Sequence, residues 1–406
     1  MAGFVASASE LSQSSNSRYA QLVNTVPDIA NQIGTSARYH KYRNGEITPI
    51  SGMEVSQVTN PAFYNCGPGI PKNICDESTR QLGPILKIVE KKIPKTALVV
   101  ITTDLNLTAE EVRDRDPGTI GHTITALFKQ GRALGLYGLK SDFKGIVNGL
   151  PGGVAYDQAR KRAVYSLLIG PVEKVIKFRG ILSSKFSKKV TEGRDKFWLF
   201  TNKIIKSQIT EQNFAKEDYE FTPGARPAIL LKDFAGIPQF VTAKNTGRVE
   251  FTAKLSTIKI PETLSFDPKT IEQKIWMQRS NKGACKTQWL QHKRAKDIAL
   301  FKHKNDLIKI SLFADRTAMK KLPTRRNYFL SFSIKANTIT LSEEDQDWLK
   351  DWSFNRTTLD KVVEDKKAFF PTLNLDRFVT FLTSASQEVF EGGTIFSFNT
   401  VFMRKK

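Results

Sequence analysis

The chain has 406 residues, 40% of them hydrophobic, with 62 Lys+Arg against 40 Asp+Glu and a net charge of +22. That length suits two domains rather than one ordinary core, and the apolar content excludes a wholly disordered chain. The longest apolar runs, such as Thr96–Ile101 and Ala163–Ile169, fall short of the roughly 18–20 residues of a membrane span, so no transmembrane segment is expected.

The chain opens MAGFVASASE, with neither a basic stretch nor a long apolar one, so no signal peptide is read there and a cytoplasmic location is expected. Leu11–Ile33 has the 3–4 spacing of a helix, with Tyr19, Leu22, Val23, Val26, Ile29 and Ala30 on one stripe. Pro27 predicts a kink or break within it, and Gly34 a stop. Ala37–Arg43 and Glu46–Ile50 read as a hairpin about Asn44–Gly45. Met53–Lys72 looks irregular. Cys66 and Cys75 lie in a Gly/Pro-rich loop; with Cys285 they make an odd number, which favours free thiols over a disulfide framework. Gln81–Lys92 predicts a helix.

Thr96–Thr103 (TALVVITT) reads as a buried strand covered on both faces, ending at Asp104. A helix over Thr119–Gln130 follows, then a strand over Arg132–Leu139, a polar turn, and a short edge strand over Phe143–Leu150. Ala163–Ile169 is the next buried strand, and Val172–Phe178 begins a helix. Strands alternating with helices predict an α/β domain over 1–182, a mostly parallel sheet with helices on both faces. The polar, basic stretch Ser183–Arg194 reads as a linker. From 195 to 406 the chain predicts a mainly β domain with a few helices: strands at Asp195–Thr201, Ala228–Leu231, Gly247–Leu255, Leu307–Phe313, Asn327–Ile334 and Thr394–Met403, helices at Glu343–Trp352 and Leu375–Phe390. Asn374 is read as the cap of the last helix.

Three features together resemble a von Willebrand factor type A (vWA) domain over about residues 1–180. They are the strand TALVVITTDL ending in Thr-Asp, the later Gly-rich strand RALGLYGLKSDFKG, and the opening Met1-Ala2-Gly3-Phe4 before a long helix. The resemblance implies a vWA/Rossmann-like sheet and a divalent-metal adhesion site, with Asp104 as one ligand and Thr79 as the best match for the central threonine. The family's Asp-x-Ser-x-Ser motif is absent, so any Mg²⁺ site is incomplete in this chain. On that likeness the sequence is expected to begin just after the missing motif, and the gap of a first strand to be left open or filled by another segment.

The residues alone leave three roles open to Asp104: metal ligand, catalytic carboxylate and strand-end cap. No Gly-x-Ser-x-Gly, P-loop, Gly-x-Gly-x-x-Gly or HExxH pattern is present, and no base accompanies Asp104, so an enzyme is the least favoured class. The first reading is a protein-interaction or assembly protein. Its partner would bind at the loops around Asp104, Thr79, Lys140, Ser141 and Asp142, and its basic second part would dock an acidic partner. The alternative is a nucleic-acid-associated protein of a bacterial or mobile-element system. Its contacts would come from Lys282, Lys286, Trp289, Lys293, Arg294, Lys296, Lys302 and Lys304, a basic stretch in which Trp289 and Phe301 could stack on bases. The competing reading of that stretch is a helix or loop with solvated cations.

Overall fold

The computed structural model describes residues 4, 17–34, 37–43, 46–59, 82–108, 110–112, 120–147, 154–187, 195–202, 209–214, 219–221, 240–243, 249–255, 264–265, 271–280, 287–291, 299–304, 307–312, 326–336, 338–339, 341, 343–364 and 369–404. The chain divides into two units: Met1–Lys203 with Pro261–Ser265 and Ile339–Glu391, and Ile204–Ile260 with Phe266–Thr338 and Gly392–Lys406. This corrects the expected division into 1–182 and 195–406. The helices expected near the C-terminus, and the strand expected at 195–201, belong to the first unit, because their apolar residues complete its core.

In the first unit, α1 (Arg18–Gln32) buries Tyr19, Ala20, Leu22 and Ile29 along one stripe, and the Ser17 hydroxyl accepts from the Ala20 amide as its N-cap. The helix runs through Pro27 unbroken and ends at Gly34, whose φ of 86° is a glycine conformation. A two-stranded antiparallel pair follows, β1 (Tyr39–Arg43) with β2 (Glu46–Ile50). Inside the stretch expected to be irregular, Gly52–Ser56 is a single helical turn closed by a Ser51/Glu54 capping box. The longer elements after it are α2 (Leu82–Lys92), β3 (Val99–Thr103), α3 (Ile120–Lys129), β4 (Ala133–Val147), β5 (Val154–Gly170), α4 (Val172–Ser187), β6 (Asp195–Phe200), α5 (Glu343–Trp352) and α6 (Leu375–Glu388).

The main sheet has the order β3-β5-β4-β6, and each of these neighbours pairs antiparallel. Only the two-residue strand Phe369–Phe370 joins β5 in parallel, at Lys161 and Arg162. The mostly parallel sheet of the sequence reading is therefore not what these residues form. Six residues separate β4 from β5, too few for the crossover that parallel neighbours need, so the two close as a long hairpin. Strands and helices alternate at two places. β3 and β4, joined through α3, run parallel, and so do β5 and β6, joined through α4. The two crossovers interleave, so hydrogen-bonded neighbours oppose one another. They step the same way across the sheet along opposite strand directions, so a common hand places α3 and α4 on opposite faces.

Strand parity then assigns the core. Leu134, Leu136, Ala163, Tyr165, Leu167, Ile169, Trp198 and Phe200 share one face and pack with α2, α3, α5 and α6 in one apolar cluster. Gly135, Tyr137, Leu139, Val164, Leu168 and Phe197 share the other, toward α1 and α4. β3 pairs only with β5 among the described residues and is half-buried throughout, an edge strand rather than the central one expected.

The second unit is described as two sheets. Its strands are β7 (Ile209–Phe214), β8 (Tyr219–Phe221), β9 (Phe240–Ala243), β10 (Val249–Leu255), β11 (Ile271–Ser280), β12 (Thr287–Gln291), β13 (Ala299–Lys304), β14 (Leu307–Leu312), β15 (Arg326–Ala336) and β16 (Gly393–Arg404). Four form the order β13-β14-β10-β7, and six form β12-β11-β15-β16-β9-β8. All pairs are antiparallel except β16 with β9. The strand expected at Ala228–Leu231 lies outside the described residues. Among those described, no helix is long and apolar enough to cross a membrane.

Candidate functional site

Asp104 follows the last residue of β3, as expected. The turn that carries it is tightly held. Leu105 has φ 49°, uncommon for a branched side chain, and its amide donates to Thr103 Oγ1 at 3.1 Å. Leu105 and Leu107 are buried, and the Asn374 side chain donates to the Leu107 carbonyl at 2.9 Å. Asn374 was expected to cap α6 with its side chain. Instead it sits at φ 56° and makes no cap bond, because that side chain is committed to the Asp104 turn.

The held turn sets Asp104 Oδ2 3.3 Å from the guanidinium of Arg162 on β5, a side chain only 2% exposed against 28% for Asp104. The Arg162 guanidinium also lies 5.1 Å from the Phe143 ring, whose edge meets Phe4, itself stacked on Tyr19. Sequence reasoning passed over Arg162. Its signal was a charged residue at an inward parity of β5, cross-strand from Ser141.

Lys140, Ser141 and Asp142 were read as a polar turn; they lie inside β4 instead. No glycine or proline breaks the chain between Leu139 and Phe143, so the alternation continues and sends the three residues to alternate faces. Ser141 is buried, and its hydroxyl accepts the Tyr19 amide at 3.0 Å, a second cap for α1. The Lys140 ammonium lies 4.1 Å from the Phe369 ring and 5.0 Å from Trp352, beside the stacked pair Trp348–Trp352. Asp142 is half-buried and cross-strand from Lys161. Nearby, burial pushes the Tyr165 hydroxyl above its ordinary pKa, and it shares a 2.9 Å hydrogen bond with Thr372.

Thr79 lies outside the described residues. The donor set that is described does not suit Mg²⁺, which asks for several oxygen ligands. Asp104 is already opposed by a guanidinium, and no three His, Cys, Asp or Glu side chains gather among the described residues. His122 lines a groove of about 290 Å³ between α3 and α6 together with Lys129, Phe381, Ser384 and Glu388. Lys129 and Glu388 pair across it at 3.6 Å.

In the second unit, the described residues of the stretch read as a helix or loop form two strands in two different sheets. Trp289 lies in β12; Phe301, Lys302 and Lys304 lie in β13. Lys282, Lys286, Lys293, Arg294 and Lys296 lie outside the described residues. What the fold adds is the register. Lys302 is the direct cross-strand partner of Lys309 on β14, and parity places Lys304 and Lys254 on that same face with Glu250 and Glu211. The opposite face carries the row Phe301, Ile310, Phe251, Phe214.

Charge divides unevenly between the units. The second has 145 residues with 28 Lys+Arg against 11 Asp+Glu, a net +17; the first has 261 residues with 34 against 29, a net +5. No protein-family model matches the chain, and neither the curated proteins nor the solved structures return a match.

Proposed function

We propose that the chain binds nucleic acid through its second unit, mainly by contacts to phosphate. The observation that carries this reading is the charge partition: +17 of the net +22 falls on 145 residues. The register also brings Lys302 level with Lys309 on adjacent strands, like charges that a polyanion would offset.

The test is binding of labelled single-stranded and duplex oligonucleotides to the full chain over a salt series. The expected result is a steep linear fall of log K with log salt and binding that survives at about 150 mM. Binding seen only in very low salt would overturn the reading.

A second reading keeps the first unit as a protein-interaction module of the vWA type, centred on Asp104, Lys140 and Asp142. The partial exposure of the Asp104 carboxylate favours it. In its metal-dependent form Asp104 would have to exchange Arg162 for the cation. Co-precipitation with the full chain and its Asp104→Asn variant tests it: a partner captured by the first and lost by the second, dependent on Mg²⁺, is the supporting result, and an unchanged partner set counts against it.

A further inference from the structure

β3 forms an edge of the main sheet. β4 takes one side of β5 along its length, so β3 and the short strand Phe369–Phe370 share the other side. The short strand lies against Lys161 and Arg162, and β3 against Tyr165–Ile169. Among the described residues no strand lies beyond β3. Alternate residues of such a strand turn their amide and carbonyl away from the sheet, a template for one more strand. Natural edges are blunted by a lysine, a proline or a bulge. β3 has none of these. Val99, Val100, Ile101, Thr102 and Thr103 are all β-branched and uncharged, all only partly buried, and in unbroken register with β5. The uncharged run extends back to Thr96.

The edge is also held in place. A Cβ on Gly170 of β5 would lie 2.7 Å from the Ala97 carbonyl oxygen and 3.0 Å from Leu98 Cα, so the start of β3 is pinned close against β5. Its two ends differ in charge. The exposed Lys91, Lys92 and Lys95 precede it, and Asp104 and the exposed Glu110 follow it. A parallel neighbour of the same sequence would set like ends together, whereas an antiparallel one sets the basic end of each strand against the acidic end of the other. A register centred on Ile101 puts Val99 opposite the second copy's Thr103 and Val100 opposite its Thr102, pairs of β-branched residues that pack well across strands. At about 3.4 Å per residue, that register leaves Lys95 about 10 Å along the strand from the level of the second copy's Asp104.

We propose that a second copy of this chain adds to β3 edge to edge and antiparallel, joining the two main sheets into one across a two-fold axis. The uncapped β-branched edge supplies the pairing, and the opposite charges at its ends set the orientation. The proposal is independent of the nucleic-acid reading of the second unit.

The experiment is sedimentation equilibrium of the full chain, run at about 300 mM salt so that repulsion between two chains of net charge +22 is screened. The expected result is a monomer–dimer equilibrium with a Kd of about 10 µM or tighter. Hydrogen exchange should slow at the amides of Val99–Thr103 as concentration rises through that Kd, because those facing away from β5 gain partners. Thr102→Lys places a charge on the edge and should weaken association by about ten-fold or more with circular dichroism unchanged. Thr102→Val keeps a β-branched residue and should associate as the parent does. A parent that stays monomeric at about 100 µM overturns the proposal. So does a dimer whose 99–103 amides are indifferent to concentration, or a folded Thr102→Lys variant that pairs as tightly as the parent. Protection of those amides in a monomer overturns it as well, and shows that something other than a second copy covers the edge.

Discussion

The two units handle charge in opposite ways. In the first, ionic groups are nearly balanced and drawn into pairs that tie elements together. Arg18 of α1 meets Asp195 of β6 at 2.6 Å, and Tyr137 of β4 donates to the same carboxylate at 2.7 Å. Lys196 pairs with the buried Asp345 of α5, and Arg162 with Asp104. In the second unit cations outnumber carboxylates by more than two to one, and the register sets Lys302 beside Lys309 and Arg326 beside Arg404. Charge in the first unit ties elements together; on the proposed reading, the net +17 of the second unit serves a partner. Substitutions should therefore cost stability in one unit and binding in the other.

The largest effect is expected from Asp195→Ala. It strands the Arg18 guanidinium, 17% exposed, and removes the acceptor of a tyrosine hydroxyl whose pKa is pushed up by burial and then by that carboxylate. Breaking such a pair from one side should cost about 2–4 kcal/mol, read from denaturant midpoints, with the salt slope of oligonucleotide binding unchanged. A parallel loss of binding would break the division of labour. Asp104→Ala comes next. It removes the carboxylate facing the nearly buried Arg162, but the partial exposure of Asp104 and the Phe143 ring soften the loss to about 1–2 kcal/mol. No change in stability would mean that the Asp104 carboxylate serves something other than that pair.

The sequence made most elements of the first unit legible, with α5 at Glu343–Trp352 and β2 at Glu46–Ile50 placed to the residue. Strong local periodicity and short punctuating residues account for that. It did not disclose which strands are neighbours. A helix between two strands makes them parallel, but nothing local says that β5 will insert between β3 and β4. Nor did it disclose that residues 339–391 return to the first core, since that depends on Trp352, Phe378 and Leu382 fitting a surface set hundreds of residues earlier. Of the candidate site, Asp104 was legible because a β-branched run ended at it. Arg162 was not, because its partner lies in the turn after another strand. The pairing of Lys302 with Lys309 exists only through register, and a run of single residues cannot announce register.

Glu111 offers a smaller effect, with a pH signature. Its carboxylate accepts the amides of Leu82 at 2.8 Å and Thr108 at 3.0 Å, tying α2 to the segment after Asp104, yet burial raises its pKa above the ordinary glutamate value. A raised folded pKa means that the native state holds the proton more readily than the unfolded chain. Its stabilising contribution is full below the unfolded value near 4.5 and is lost as pH rises through the folded one. Relative to Glu111→Gln, the parent should therefore be more stable at pH 4 than at pH 7, by about 1 kcal/mol or less. Thermal midpoints of both chains across that range check it, and a difference independent of pH would remove the burial argument.

The smallest expected change in stability, and the sharpest test of the comparison, is Lys302→Gln/Lys309→Gln. These lysines are direct partners on β13 and β14, so their mutual repulsion is a small cost of about 0.2–1 kcal/mol that neutralisation should return. The gain should fade as salt screens it over a Debye length of about 10 Å at 0.1 M. Nucleic-acid affinity should move the other way, with the salt slope falling by about 1 to 2 as phosphate contacts are lost. Stability rising while binding falls is what surplus charge held for a partner requires. If both fall together, the pair is part of the internal structure, and the contrast between the units does not extend to this sheet.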